Sequence, residues 1–209
     1  QDNVTFHKLG FAIIDEQHRF GVQQRLTLSE KGINPNILIM SATPIPRTLA
    51  LAQYGEIEQV ILDQRPSFQK EIITRVATEE KIKDLVDYLK KNVTEKKQAY
   101  WICPLVEESE TLPYQNVEKR FKILEKIFKK RVGLVHGKMP IHEKEKVINE
   151  FNDGSIEILV ATTVVEVGID NKNADYIVIE NAEKFGLSQL HQLRGRVGRG
   201  SSQAYCFAT

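Results

Sequence analysis

Residues 132–161 read VGLVHGKMPIHEKEKVINEFNDGSIEILVA, which is two short apolar runs separated by a longer segment of mixed polarity. The runs Val132–Val135 and Ile158–Ala161 carry no polar side chains, which is typical of strands buried on both faces. The segment between them, 141–151, is predicted to be a helix. Strand, helix and strand in this order predict a parallel sheet covered by helices.

The same alternation extends along the rest of the chain. Further strands are predicted at 11–14, 37–40, 72–76, 100–103, 176–179 and 204–208. The wholly apolar runs 11–14 and 37–40 are expected to be buried on both faces. Further helices are predicted at 79–92, 117–130 and 187–193. A polar stretch that contains a proline, 64–70, is interpreted as a linker. We therefore expect an α/β fold in which part of one parallel-sheet unit, 1–64, precedes a nearly complete second unit, 65–209.

The composition of the 209 residues is that of a globular protein. Hydrophobic residues make up 41% and charged residues 27%, which excludes a disordered tail or a disulfide-stapled miniprotein. The 29 basic and 28 acidic residues give a net charge of +1, which neither favours nor excludes a nucleic-acid partner. Two distant cysteines, Cys103 and Cys206, are predicted to be buried thiols. No apolar stretch is long enough to span a membrane and no signal peptide is evident, so a cytoplasmic location is expected.

Acidic and hydroxyl side chains follow two of the predicted strands. Asp15 and Glu16 end the first strand, where one carboxylate could hold Mg²⁺ and the other could orient or deprotonate a water molecule. Acids are also common at strand ends that have no catalytic role. Ser41 and Thr43 follow the second strand, where they could link a nucleotide site to a moving domain or only cap the turn before a helix.

The segment 192–200 concentrates arginines and glycines. Arg194, Arg196 and Arg199 lie within six residues, and guanidinium groups bind phosphate oxygens and stabilise charge on a transferred phosphoryl group. A salt-bridged helix end is the alternative, but it would not need the three glycines that accompany the arginines. Phosphate chemistry is therefore the favoured interpretation.

Three other features have plainer interpretations available. The segment 161–170 could hold a nucleic-acid phosphate and a ribose, or it could be only a strand, a short helix and a turn. Basic residues predominate at 119–131, which favours a solvated helix face over a nucleic-acid contact. His136 has no second histidine at ligand spacing, so a loop histidine is favoured over a metal ligand.

The order of these blocks is more specific than any one of them. Asp-Glu-x-His, Ser-Ala-Thr, Thr-Thr-x4-Gly-Ile-Asp and Gln-x2-Gly-Arg-x-Gly-Arg, in this order, resemble motifs II, III, V and VI of the superfamily-two helicases and translocases. The resemblance covers essentially the whole chain and implies a RecA-like fold, a parallel sheet flanked by helices. Finer blocks, such as CPLVEESE at 103–110 and HGKM at 136–139, resemble the branched-DNA translocases of that superfamily. The transcription-repair coupling factors share the Pro-Ile-Pro-Arg and Gly-Arg-Val-Gly-Arg blocks and are the alternative.

The resemblance implies roles for the acidic block. Asp15 would coordinate Mg²⁺, and Glu16 would be the base or the water-positioning residue in ATP hydrolysis. Gln17 and His18 would lie at the cleft between two RecA-like domains.

The resemblance also implies roles for the hydroxyl-rich blocks. Ser41 and Thr43 would couple ATP hydrolysis to movement. Thr162 would contact a phosphate of the DNA backbone, with Gly168 and Asp170 near the nucleotide.

The last block would complete the hydrolytic site. Arg196 and Arg199 would be arginine fingers that reach across the cleft, with Gln192 beside them. Arg194 is not part of the general superfamily pattern and is given no catalytic role.

The chain contains no Gly-Lys-Ser/Thr loop of the kind that cradles nucleotide phosphates. Gly137 and Lys138 are followed by Met139, and no lysine precedes serine or threonine. We therefore expect a piece of an ATP-driven DNA translocase that remodels forks and junctions, inactive alone, whose parent uses ATP, Mg²⁺ and branched or forked DNA. A piece of a transcription-repair coupling factor and a non-catalytic DNA-binding module are the alternatives.

Overall fold

The computed structural model of the chain describes residues 4–15, 27–28, 30–41, 58, 60–64, 66–105, 115–162 and 171–209. The chain divides into two compact units, Gln1–Leu62 and Asp63–Thr209. Among the residues described, no helix is both long and apolar enough to cross a membrane.

The described residues of the first unit form two parallel strands, β1 (Phe11–Ile14) and β2 (Asn36–Ile39). Both predicted strands are confirmed, although β2 starts and ends one residue earlier than predicted. Only one face of β1 is buried, because Ala12 and Ile14 are 8% and 3% exposed whereas Phe11 and Ile13 on the other face are 55% and 57% exposed. The expectation that this strand is buried on both faces is therefore wrong, and it is also wrong for β2, in which no residue is buried.

The second unit is built on a six-stranded sheet in which every pair of neighbours is parallel. Its strands are β3 (Ile73–Val76), β4 (Gln98–Ile102), β5 (Val132–Val135), β6 (Ile158–Ala161), β7 (Ala174–Ile179) and β8 (Tyr205–Ala208). They lie in the order β3-β8-β7-β4-β6-β5, so β4 and β7 are central and β3 is an edge strand. This arrangement confirms the predicted α/β fold with a parallel sheet.

Helices cover both faces of this sheet. They are α1 (Ile82–Asn92), α2 (Gln115–Phe128), α3 (Ile141–Asn152) and α4 (Leu187–Arg194). On one face, Trp101 and Val178 pack with α1 and α2; on the other, Tyr100 and Ile177 pack with residues of α3 and α4. Neighbouring residues of one strand thus point into different cores, which is why these strands are apolar on both faces.

The predicted helices form with shifted ends. The first turn of the helix predicted at 79–92 is a 3-10 turn, Glu79–Lys81, and regular α-helix begins only at Ile82. Helix α2 ends at Phe128, after which Lys129 adopts a left-handed conformation with φ of 59°. That conformation stops a helix, because it breaks the repeating backbone geometry.

Candidate functional site

The carboxyl ends of β1 and β2 lie at one edge of the two-stranded sheet, because the strands are parallel. Asp15 directly follows β1 and is exposed, and Ser41 lies two residues beyond β2 and is half-buried. The N–H of Met40 donates to the carbonyl of Ile14 at 2.8 Å and so holds the two strand ends together. The structure thus brings the acidic block and the hydroxyl block of the sequence to the same edge.

Six of the predicted site residues lie outside the described part of the chain. They are Glu16, Gln17, His18, Thr43, Gly168 and Asp170. Of the remaining predicted site residues, Asp15 and Ser41 lie at the edge of the two-stranded sheet, and the others belong to the second unit.

Thr162 lies at the carboxyl edge of the six-stranded sheet, directly after β6. Its side chain is only 1% exposed, and its N–H donates to the carbonyl of Val135 at 3.4 Å. Its hydroxyl oxygen is buried and has no hydrogen-bond partner within the described residues. A buried hydroxyl without a partner is uncommon, and it leaves Thr162 able to donate to a ligand.

His136 follows β5 at the same edge. Burial lowers the pKa of its imidazole below the ordinary value of 6.5, and Lys144 and Lys138 act in the same direction against Glu118. The residues that the structure describes contain no group of three or more His, Cys, Asp or Glu side chains that could hold a metal ion. His136 is thus a partly buried imidazole directly after β5.

A buried carboxylate, Glu180, organises the carboxyl end of β7. The guanidinium of Arg120 forms an ion pair with it, and Trp101 Nε1 donates to it at 3.0 Å. The Cys103 thiol donates to the same carboxylate at 3.2 Å. Burial first, and then the charge of Glu180, raise the pKa of Cys103 far above its usual range. Cys103 is thus a buried thiol, as predicted, and the surrounding cluster is a feature that the sequence patterns did not reveal.

The basic segment 119–131 is largely a solvated helix face. Lys119, Lys122 and Lys126 are exposed. Its two arginines instead bind acids of the core, since Arg120 pairs with Glu180 as above and Arg131 Nη1 pairs with Glu157 at 2.5 Å. The two arginines of the segment therefore have structural roles within the second unit.

The arginine segment lies at the opposite, amino edge of the six-stranded sheet. The N–H of Gly198 donates to the carbonyl of Ala174, the first residue of β7, at 3.3 Å. Gly198 has a φ of 74°, a left-handed conformation that favours glycine. A β-carbon at Gly200 would lie 2.8 Å from the carbonyl oxygen of Lys172. The glycines of the block therefore allow its backbone to pack directly against the start of β7.

Arg194 has a structural task at this edge. Its Nε donates to Thr74 Oγ1 at 2.9 Å and its Nη2 donates to the carbonyl of Ile72 at 3.1 Å. These bonds join the end of α4 to the edge strand β3. They support the prediction that Arg194 has no catalytic role.

A cleft of about 480 Å³ lies beside the arginine segment. Its polar lining is Gln69, Lys70, Lys172, His191, Arg194 and Arg199. Four of these side chains are cationic, and the described residues that line the cleft include no carboxylate. Arg196, the other predicted arginine finger, is half-buried and does not line it, and Gln192 is half-buried on α4. The lining is suited to an anion with several negative charges.

The two predicted ligand contacts of the second unit are well separated. Thr162 lies at the carboxyl edge of the sheet, and the cleft lies at the amino edge. A six-residue strand such as β7 spans about 20 Å between these edges. Two different ligands, or two distant parts of one ligand, would therefore be needed to reach both.

The family model described as "Helicase conserved C-terminal domain" matches residues 80–201. The chain belongs to this family. This confirms the resemblance to helicases and the RecA-like interpretation of the sheet.

Curated relatives show which helicases the chain is similar to over nearly its whole length. The ATP-dependent DNA helicase RecG of Bacillus subtilis is 48% identical over 99% of this chain, and that of Haemophilus influenzae is 50% identical over 99%. The chain covers 30% and 31% of the length of these relatives. The resemblance predicted from the finer sequence blocks is thereby confirmed as a similarity to RecG helicases.

Solved structures agree with the sequence relatives. A structure of RecG bound to a three-way DNA junction matches 100% of this chain and 27% of that chain, with 42% identity and a TM-score of 0.75. Saccharomyces cerevisiae Dbp5 bound to RNA and ADP BeF3 matches 95% of this chain and 52% of that chain, with 17% identity and a TM-score of 0.66. The second likeness concerns the fold alone.

Proposed function

We propose that this chain is part of an ATP-dependent DNA helicase that moves along DNA and remodels replication forks and junctions in recombination and repair. The observation that carries the proposal is the identity of about 50% to RecG helicases over 99% of the chain. The solved relative bound to a three-way junction favours branched DNA as the substrate. None of the relatives described above supports a transcription-repair factor or a non-catalytic binding module.

The division into units supports a domain assignment. In this proposal 1–64 is the C-terminal half of a first RecA-like domain and 65–209 is the second RecA-like domain. The boundary between the compact units, after Leu62, lies close to the proposed one.

The acidic block is proposed to serve ATP hydrolysis. Asp15 presents an exposed carboxylate at the carboxyl end of a parallel strand, which is the usual position of ligand contacts in such sheets. A single carboxylate fits Mg²⁺, which in nucleotide sites takes one or two protein carboxylates together with phosphates and waters. The metal would neutralise charge on the phosphates, and Glu16 would position or deprotonate the attacking water. Gln17 and His18 would face the cleft between the domains.

The arginine segment is proposed to face the phosphates of ATP. Arg199 lines the cationic cleft, and with Arg196 it would stabilise the negative charge that develops on the transferred phosphoryl group. Gln192 would support them from α4, and Gly168 and Asp170 would lie near the nucleotide.

The carboxyl edge is proposed to bind DNA. The buried hydroxyl of Thr162, which has no partner among the described residues, would donate to a backbone phosphate. Ser41 and Thr43 would transmit the state of the nucleotide site to this contact. A contact to the backbone carries no sequence information, as a translocase requires.

Replacement of Glu16 by Gln in the full-length protein tests the proposal. DNA-stimulated ATP hydrolysis should be nearly abolished while ATP binding persists, because the amide keeps the size of the side chain but cannot accept a proton. Glu30→Gln, which removes an exposed carboxylate of the same unit, should leave hydrolysis unchanged. Unchanged turnover in Glu16→Gln would contradict the assignment.

A further inference from the structure

The cationic cleft contains two lysines that belong to none of the helicase motifs. Lys70 lies in the segment that precedes β3, and Lys172 lies in the turn that precedes β7. Both side chains are exposed and both line the cleft with Arg194 and Arg199. The segments that carry them are distant in sequence and meet only in the fold.

Neither lysine has a partner within the described part of the chain. Among the described residues, none forms a hydrogen bond or an ion pair with the ammonium group of Lys70 or Lys172, whereas Arg194 donates to Thr74 and Ile72. Arg199 Nε contacts the carbonyl of Gly195 at 3.5 Å. Cationic side chains that share a cleft repel one another, and an anionic ligand would relieve that repulsion.

The turn that carries Lys172 is held firmly. Asn171 is 4% exposed, and its Nδ2 donates to Gln98 Oε1 at 3.0 Å. The N–H of Asn173 donates to Asn171 Oδ1 at 2.8 Å. Gln98 is fully buried and its Nε2 donates to the carbonyl of Ile156 at 2.6 Å. This buried amide network fixes the backbone on both sides of Lys172. It thereby holds Lys172 at the lining of the cleft.

We propose that Lys70 and Lys172 bind the polyphosphate of ATP from the arginine side of the site. The inference rests on the proposed function, in which Arg199 faces the nucleotide phosphates. The lysines add point charges that bind phosphate in the ground state and the transition state alike, whereas Arg199 acts on the charge that develops during transfer. Uniform binding of this kind lowers KM without raising kcat.

The test is steady-state ATP hydrolysis by the full-length protein on a three-way DNA junction. Lys70→Gln and Lys172→Gln should each raise the KM for ATP by about three- to tenfold and leave kcat within about twofold. The control is Lys91→Gln, which removes an exposed lysine from the end of α1 and should change neither constant. Because both cleft lysines are exposed, thermal melting should be the same in all variants.

A second measurement separates nucleotide from DNA as the ligand. Binding of the junction without nucleotide, followed by fluorescence anisotropy, should be unchanged in both lysine variants. Weaker junction binding with an unchanged KM would overturn the inference in favour of a DNA backbone contact. An unchanged KM in both lysine variants, with activity still lost in Arg199→Ala, would overturn the inference and leave the proposed function standing. Full activity in Arg199→Ala as well would reject both.

Discussion

The backbone carbonyl of Lys172 is in direct contact with Gly200, so that a β-carbon at position 200 would lie 2.8 Å from the carbonyl oxygen. The contact joins the turn before β7 to the end of the arginine segment. Position 200 therefore requires glycine for packing, because any larger residue would meet this carbonyl group. This requirement is independent of any catalytic role of the block. It also makes the position of the arginines depend on the backbone around Lys172.

Gly200→Ala should therefore destabilise the chain. The added methyl group forces the backbone at Lys172 or at Gly200 to move, which should lower the free energy of unfolding by about 1–3 kcal/mol. Urea denaturation measures this change. Gly10→Ala is the control, because no atom lies within 4 Å of a β-carbon built there. Equal stability of the two variants would contradict the close contact.

Glu180→Gln should destabilise the second unit more strongly. The change leaves the half-buried guanidinium of Arg120 without its ion pair, at a cost of about 3–5 kcal/mol. The only tryptophan, Trp101, donates to Glu180, so its fluorescence should shift in the folded variant. Glu150→Gln, which affects only an exposed pair with Lys146 at 4.0 Å, should cost less than about 1 kcal/mol. If Glu180→Gln lowered the free energy of unfolding by as little as Glu150→Gln, the carboxylate of Glu180 would not organise this edge.

Asp175 should make stability depend on pH. Burial raises the pKa of this carboxyl from 3.8 to about 6, and its Oδ2 has no partner in the described residues. Because the folded pKa lies above the unfolded one, the protonated form stabilises the fold below about pH 4, and this contribution is lost as the pH rises through about 6. Asp175→Asn should thus raise the melting temperature relative to the natural chain at pH 8 more than at pH 4. A constant difference between the two proteins across this range would contradict the raised pKa.

The 209-residue chain by itself should hydrolyse ATP only at the background rate. It carries no Gly-Lys-Ser/Thr sequence to hold the phosphates, although it carries Glu16 and Arg199. Phosphate release measured with and without DNA tests this directly. Turnover that disappears in Glu16→Gln would mean that another part of this chain holds the phosphates.

The sequence predicted the central architecture because its strands are apolar runs with clear ends. Strands β5 and β6 have the predicted bounds, Val132–Val135 and Ile158–Ala161. Strands β4 and β7 each begin two residues before their predicted starts, at Gln98 and Ala174. The predicted start of β4 is too late because Gln98 is polar, and polar residues are typical of loops. Gln98 lies in the sheet because the buried amide network satisfies its side chain.

The site was predicted only in part, for a similar reason. Motif spacing pointed to Arg199 because the block 192–200 is continuous in sequence. Lys70 lies in a segment interpreted as a linker, and Lys172 lies in a turn that belongs to no motif. Both nevertheless line the same cleft as Arg199. Contacts between distant segments of this kind follow from strand order, since β3 and β7 both lie beside β8, and the sequence patterns do not specify that order.

The most direct test of the proposed function is the DNA-stimulated ATPase activity of the full-length protein with Arg199 replaced by alanine. If Arg199 stabilises the charge on the transferred phosphoryl group, kcat on a three-way junction should fall by about a thousandfold or more. Arg75→Ala, which removes an exposed arginine from the edge strand β3, should retain normal activity. If kcat of Arg199→Ala stays within about tenfold of that of the natural protein, the arginine segment does not serve ATP hydrolysis and the proposed function is contradicted.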